Sequence, residues 1–125
     1  MVGVRRVLAG SLLTVAALGV PHSAAAHALV LDSSPRANEV LRVSPERIFL
    51  RFNSRIEKGL SSVTVAGATG RPIPLPVAAP GGAPNLLVVP VPSLQPARYV
   101  LRWKVLSADG HVTEGAIRFT IDPGP

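Results

Sequence analysis

From Arg47 onward the chain alternates between apolar and polar positions with a period of two. In Arg47 to Phe52, Ile48, Leu50 and Phe52 fall on one side and Arg47 and Arg51 on the other. Ser62 to Ala66 repeats the rhythm with Val63 and Val65, and Tyr99 to Val105 sets Tyr99, Leu101, Trp103 and Val105 against Arg102 and Lys104. Ile117, Phe119 and Ile121 close the series, and Leu86 to Val91 is a continuous apolar run bounded by Pro90 and Pro92. Short runs of period two separated by Pro, Gly, Asn and Ser predict half-buried strands in an antiparallel sandwich. After Ala26 no window carries a helical stripe. The stretch from Arg71 to Pro84 holds five prolines and is expected to be a loop or an edge excursion, because proline removes a ladder donor.

The first 26 residues follow a different pattern. Arg5 and Arg6 precede an apolar stretch from Val7 to Val20, then Pro21, then Ala24-Ala25-Ala26 ahead of His27. This is the charged start, apolar centre and small-residue cut site of a secretory signal peptide. The apolar stretch is well short of the ~20 residues of a spanning helix, so cleavage is expected rather than anchoring. The division is therefore a leader over 1–26 and one domain over 27–125. The product is expected in the periplasm or secreted, without stable membrane insertion after cleavage, and monomeric.

Removing the leader changes the composition. Of 13 basic residues, Arg5 and Arg6 go, leaving 11 against 7 acidic ones, so the net charge falls from +6 to +4. The arginines are scattered, which argues against nucleic acid as a partner and supports at most a weak attraction to anionic surfaces. The chain has no cysteine, and its single methionine is Met1. The exported part thus has no disulfide, no thiolate and no sulfur ligand.

Signatures of the common hydrolase, phosphate-binding and zinc-protease motifs are missing. Two histidines remain after processing, His27 and His111, the second in Ser107-Ala108-Asp109-Gly110-His111. Asp109-Gly110 alone reads as a hairpin turn between the Trp103 and Phe119 strands. The cut after Ala26 adds a second element, because it frees an α-amine on His27 whose own Nδ1 can close a six-membered chelate with it. With the His111 imidazole and an Asp109 carboxylate oxygen, three nitrogens and one oxygen suit tetragonal Cu(II). Cu(I) favours sulfur, which is absent.

These ends carry a family resemblance. "YVLRWKVLSADGHVTEGAIRFTI", Tyr99 to Ile121, resembles the C-terminal signature of the CopC family of exported copper-binding proteins, in which W-x-V-x-S-x-D-G-H leads through G-x-x-x-F into the last strand. "HALVLDSSPRANEVL" resembles that family's mature start, with histidine first and Ser33 and Pro35 soon after. The resemblance implies an all-β fold, a cupredoxin-like or immunoglobulin-like Greek-key β-sandwich (barrel) of about seven strands. It also implies carriage or buffering of Cu(II), with His27, Asp109 and His111 as metal ligands, no catalysis, and an inner-membrane copper-transport protein as a partner. Two departures stand out. Where some relatives carry a glutamate after an early strand, "LRFNSR" has Asn53 and Ser54. Where others carry a methionine-rich loop for Cu(I), this chain is proline-rich and sulfur-free, which implies a member for Cu(II) alone.

Other residues have structural readings: Trp103 as a core aromatic, Gly110 as a positive-φ turn residue and Gly115 as a point of close backbone approach. Glu114 reads as a solvated charge within reach of a supporting role near His111, and Ser107 can orient Asp109. Two other function classes compete with the carrier. One is a copper-dependent oxidative enzyme using a histidine brace, as in copper monooxygenases, disfavoured because Asp109 would fill a position oxygen chemistry needs. The other is a metal-free sandwich for adhesion or interaction.

Overall fold

The computed structural model describes Gly3 and residues 28–77 and 82–125. Among these residues eight strands form two sheets: β1 (Val30–Ser34), β2 (Glu39–Leu41), β3 (Arg47–Phe52), β4 (Ser62–Gly67), β5 (Ile73–Leu75), β6 (Leu86–Pro90), β7 (Ala97–Leu106) and β8 (Val112–Ile121). One sheet runs β1-β3-β6 and the other β2-β8-β7-β4-β5. The pairings are antiparallel except β2 with β8. The chain passes between sheets several times, and the result is the expected all-β Greek-key sandwich. The one helical turn among the described residues is a 3-10 segment, Lys58–Leu60. No helix among them is long and apolar enough to cross a membrane.

The period-two pattern becomes the core directly, because alternate side chains of a strand face opposite sides of the sheet. Ile48, Leu50 and Phe52 of β3 and Leu87 and Val89 of β6 are buried on one sheet. They meet Val63, Val65, Leu101, Trp103, Val105, Phe119 and Ile121 from the other. The Tyr99 and Phe119 rings stack with centroids 5.5 Å apart. The Tyr99 hydroxyl donates to the Gln95 carbonyl at 2.6 Å, which satisfies the phenol and ties the β6–β7 crossover to the start of β7.

The structure adds detail where the pattern was weak. The proline-rich stretch contains β5, a three-residue strand at the outer edge of the larger sheet, with Pro74 opposite Thr64. An edge position tolerates a proline because one side of the strand needs no ladder donor. The apolar run at Leu86 is an edge strand with alternate residues exposed, since only one of its faces meets the core. β1 and β2 show no alternation in sequence. β1 carries Asp32 and two serines and is broken by a bulge between Val30 and Asp32, while β2 has only three residues.

Gly115 lies directly opposite Trp103 in the β7–β8 ladder. A Cβ on Gly115 would stand 2.2 Å from Trp103 Cζ2 and 2.5 Å from Cε2, well inside contact distance. The indole therefore occupies the place of the missing side chain. Gly115→Ala should destabilise the fold by about 1–3 kcal/mol, the usual range for overpacking, and Trp103→Ala by about 3–5 kcal/mol through a cavity. Urea melts followed by circular dichroism measure both. A Gly115→Ala protein as stable as the parent would show that the indole moves freely.

Candidate metal centre

β7 and β8 are joined by residues 107–111, and the turn is built from its own polar groups. The Ser107 N–H donates to the His111 carbonyl at 2.9 Å and the Gly110 N–H to the Ser107 carbonyl at 3.0 Å. Gly110 has φ +87°, a left-handed conformation that side chains resist. Ser107 is only 2% exposed. Its hydroxyl donates to Asp109 Oδ1 and lies 3.0 Å from the His111 carbonyl oxygen. Asp109 Oδ1 also accepts the His111 backbone N–H at 3.0 Å. One carboxylate oxygen is thus committed to holding the turn.

The other oxygen faces the histidine ring, with Asp109 Oδ2 and His111 Nδ1 3.1 Å apart. The hydrogen bond from Ser107, then that from the His111 N–H, then the His111 ring lower the Asp109 carboxyl to a pKa of about 2. These contacts stabilise the charged form and together outweigh desolvation, which opposes them. Two donors held cis on one metal ion at about 2.1 Å stand about 3.0 Å apart. The Oδ2–Nδ1 separation therefore suits a chelating pair as well as an ion pair, and an ionised carboxylate beside an imidazole is a donor set for a borderline divalent metal.

The segment after β3 secures this turn from outside. The Ala108 N–H donates to the Arg55 carbonyl at 3.0 Å, the Glu57 N–H to the Leu106 carbonyl at 2.8 Å, and Ile56 bridges to Ser107. The same segment holds the start of the described domain. The Leu29 N–H donates to Asn53 Oδ1 at 2.8 Å, the Asn53 N–H donates to the Leu29 carbonyl at 2.9 Å, and Ala28 is buried. Asn53 and Arg55 are two residues apart, at most about 7 Å along the chain. Leu29 and Ala108 are therefore fastened to neighbouring points of one short segment.

Of the three expected ligands, the structure brings Asp109 and His111 together, while His27 lies outside the described residues. Among the described residues no three His, Cys, Asp or Glu side chains converge. Glu114 is exposed and faces Lys104 at 3.5 Å, so it is a surface charge turned along the ladder. Trp103 and Ser107 have the roles their sequence positions suggested. Asn53 does not: it stands where relatives' glutamate was sought, and its amide instead clasps the backbone of Leu29. Nothing in "LRFNSR" marks that use, since the partner is a main-chain group 24 residues away.

Comparison with known proteins agrees with the fold. The family model of the CopC domain matches residues 30–122. The protein YobA of Escherichia coli K12 is 34% identical over 98 residues, 77% of this chain and 79% of its own. Copper resistance protein C of Escherichia coli is 31% identical over 125 residues, 94% of this chain and 95% of its own. The crystal structure of CopC from Methylosinus trichosporium OB3b superposes with a TM-score of 0.71 at 34% identity, over 79% of this chain and 97% of that one. With residues 30–122 of its 125 matched to one family model and a sandwich that superposes on a solved member, the chain belongs to the CopC family.

Proposed function

We propose that the protein is a non-enzymatic copper(II) carrier or buffer of the periplasm or extracellular space, working in copper resistance or homeostasis alongside a copper-transport protein of the inner membrane. One observation carries the reading: an ionised Asp109 and the His111 ring face each other on a turn made rigid by buried Ser107. The clasp of Asn53 on Leu29 supports His27 as the third ligand, because it fastens the chain two residues beyond His27 to the segment that braces the turn. The name of the relative Copper resistance protein C supports copper as the cargo. The preference for Cu(II) over Cu(I) rests on nitrogen and oxygen donors in a domain without sulfur.

In this reading the site is completed by processing. Before cleavage the His27 nitrogen is a peptide amide, planar and without a basic lone pair. Afterwards it is an amine with an ordinary pKa of about 7.7–8.0, which yields its proton to a competing metal ion. Export then acts as a switch that prevents loading in the cytoplasm.

The processed protein should bind one Cu(II) tightly and Cu(I) weakly by competition titration, and a second tight equivalent would overturn the single-site reading. Asp109→Ala and His111→Ala should each weaken Cu(II) binding by tenfold or more, by about the cost of a lost ligand or its support, with unchanged circular dichroism. One extra residue before His27, or its acetylation, should remove most of the affinity, whereas equal binding would show that the amine is not a ligand.

The carboxylate and the nitrogen ligands should separate with pH. Because the folded Asp109 pKa is lowered from 3.8 to about 2, its charged form favours the native turn above the unfolded value. That contribution disappears as pH falls toward 2. The free α-amine of His27 takes its proton at much higher pH, so copper release on acidification should precede Asp109 protonation. Ser107→Ala should raise the Asp109 pKa toward 3.8, as read by NMR titration of its carboxyl carbon in the copper-free protein. An unchanged value would assign the shift to the His111 contacts.

A further inference from the structure

The outward face of the larger sheet has a one-sided charge that copper binding does not use. Along β7, Arg98, Arg102 and Lys104 are exposed, and on β8 so are Glu114, Ala116 and Arg118. Register places Arg98 across from Thr120, Arg118 across from Val100, Arg102 between Ala116 and Thr64, and Lys104 between Glu114 and Ser62. Four cations thus share the face with one acid, Glu114, which is 3.5 Å from Lys104. Among the described residues no carboxylate forms an ion pair with Arg98, Arg102 or Arg118. The surplus of three is most of the +4 expected for the exported chain. Arg118 sits diagonally between Arg98 and Arg102, at the roughly 7–8 Å of such neighbours. Like charges so placed oppose folding slightly, so their clustering has no structural gain.

We propose that this face rests on the anionic surface of a phospholipid bilayer. The cations are spread rather than convergent: Arg98 and Arg102 are about 13 Å apart along β7, and Arg102 and Lys104 about 7 Å. Such an array can meet several headgroups in a plane, and guanidinium matches phosphate with paired hydrogen bonds. The residues among the cations are Ser62, Thr64, Ala116, Thr120 and the half-buried Val100. They offer no exposed aromatic anchor of the kind that forms the centre of a protein interface. Attraction without insertion makes the contact reversible and sensitive to salt. The Asp109–His111 turn lies at one end of the same two strands, so docking would hold the turn beside the membrane. That consequence alone rests on the copper reading.

The test is flotation of the exported protein, without copper, with vesicles of phosphatidylcholine alone or mixed with phosphatidylglycerol. Binding is expected only to the anionic vesicles and should vanish near 1 M salt, where the screening length is about 3 Å. With about fivefold in affinity per basic residue, the pair Arg102→Gln and Arg118→Gln should lower partitioning by about 25-fold. The pair Arg47→Gln and Arg51→Gln removes the same charge from the other sheet and should change it far less. Circular dichroism checks that both variants fold. Equal losses in the two pairs would show an effect of net charge alone and overturn the assignment to this face. No binding to anionic vesicles would overturn it too, and binding to polyglutamate in that case would assign the face to an acidic protein instead.

Discussion

The ladder between β7 and β8 is the constraint on which the other features depend. It runs unbroken from Ala97 opposite Ile121 to Leu106 opposite Val112. β4 flanks β7 from Tyr99 to Lys104, and β2 flanks the last three residues of β8. Side chains alternate between faces, and a slip of one residue would move every apolar residue to the solvent side and every cation into the core. The contact between Trp103 and Gly115 makes a slip still less favourable, because the indole fits only where the opposing residue has no side chain. A single register therefore sets the core, the charged outer face and the residues that turn at the tip.

At that tip the strands supply rigidity and the turn supplies chemistry. Burying Ser107 gives the hydroxyl no water partner to exchange with, so it holds Asp109 and the chain at His111. The carboxylate divides its work, one oxygen fastening the turn and the other facing the imidazole. The hydrogen bonds that shape the turn also keep the carboxylate charged. The segment from Asn53 to Glu57 completes the arrangement by tying Leu29 and the turn to adjacent carbonyl and amide groups.

The two sheets differ in what they present outward. The smaller one carries Arg51 paired with Asp32 at 3.1 Å, beside Phe49 and Val88. The larger one carries cations that, apart from Lys104, have no acidic partner among the described residues. The proposed copper ligands Asp109 and His111 and the surface charge thus occupy different parts of one hairpin and can be altered separately by mutation.

Much of this was legible in the sequence. The alternation at β3, β4, β7 and β8 identified strands and their inward faces, because burial of one sheet face imposes a period of two on any sequence that folds this way. The S-A-D-G-H string marked a turn, and Gly110 and Gly115 read correctly because each satisfies a local steric need. β1, β2 and β5 were not legible, since short strands at sheet margins are held by pairing with distant partners rather than by their own pattern. The use of Asn53 could not be read either, as its amide meets a backbone group that only tertiary folding brings near. Nor could the charged face: Arg98, Arg102, Lys104 and Arg118 look scattered along the chain, and strand register alone gathers them. Residue types and their alternation are local properties and so are written in the sequence, whereas cross-strand neighbours are chosen by the register of the assembled sheet.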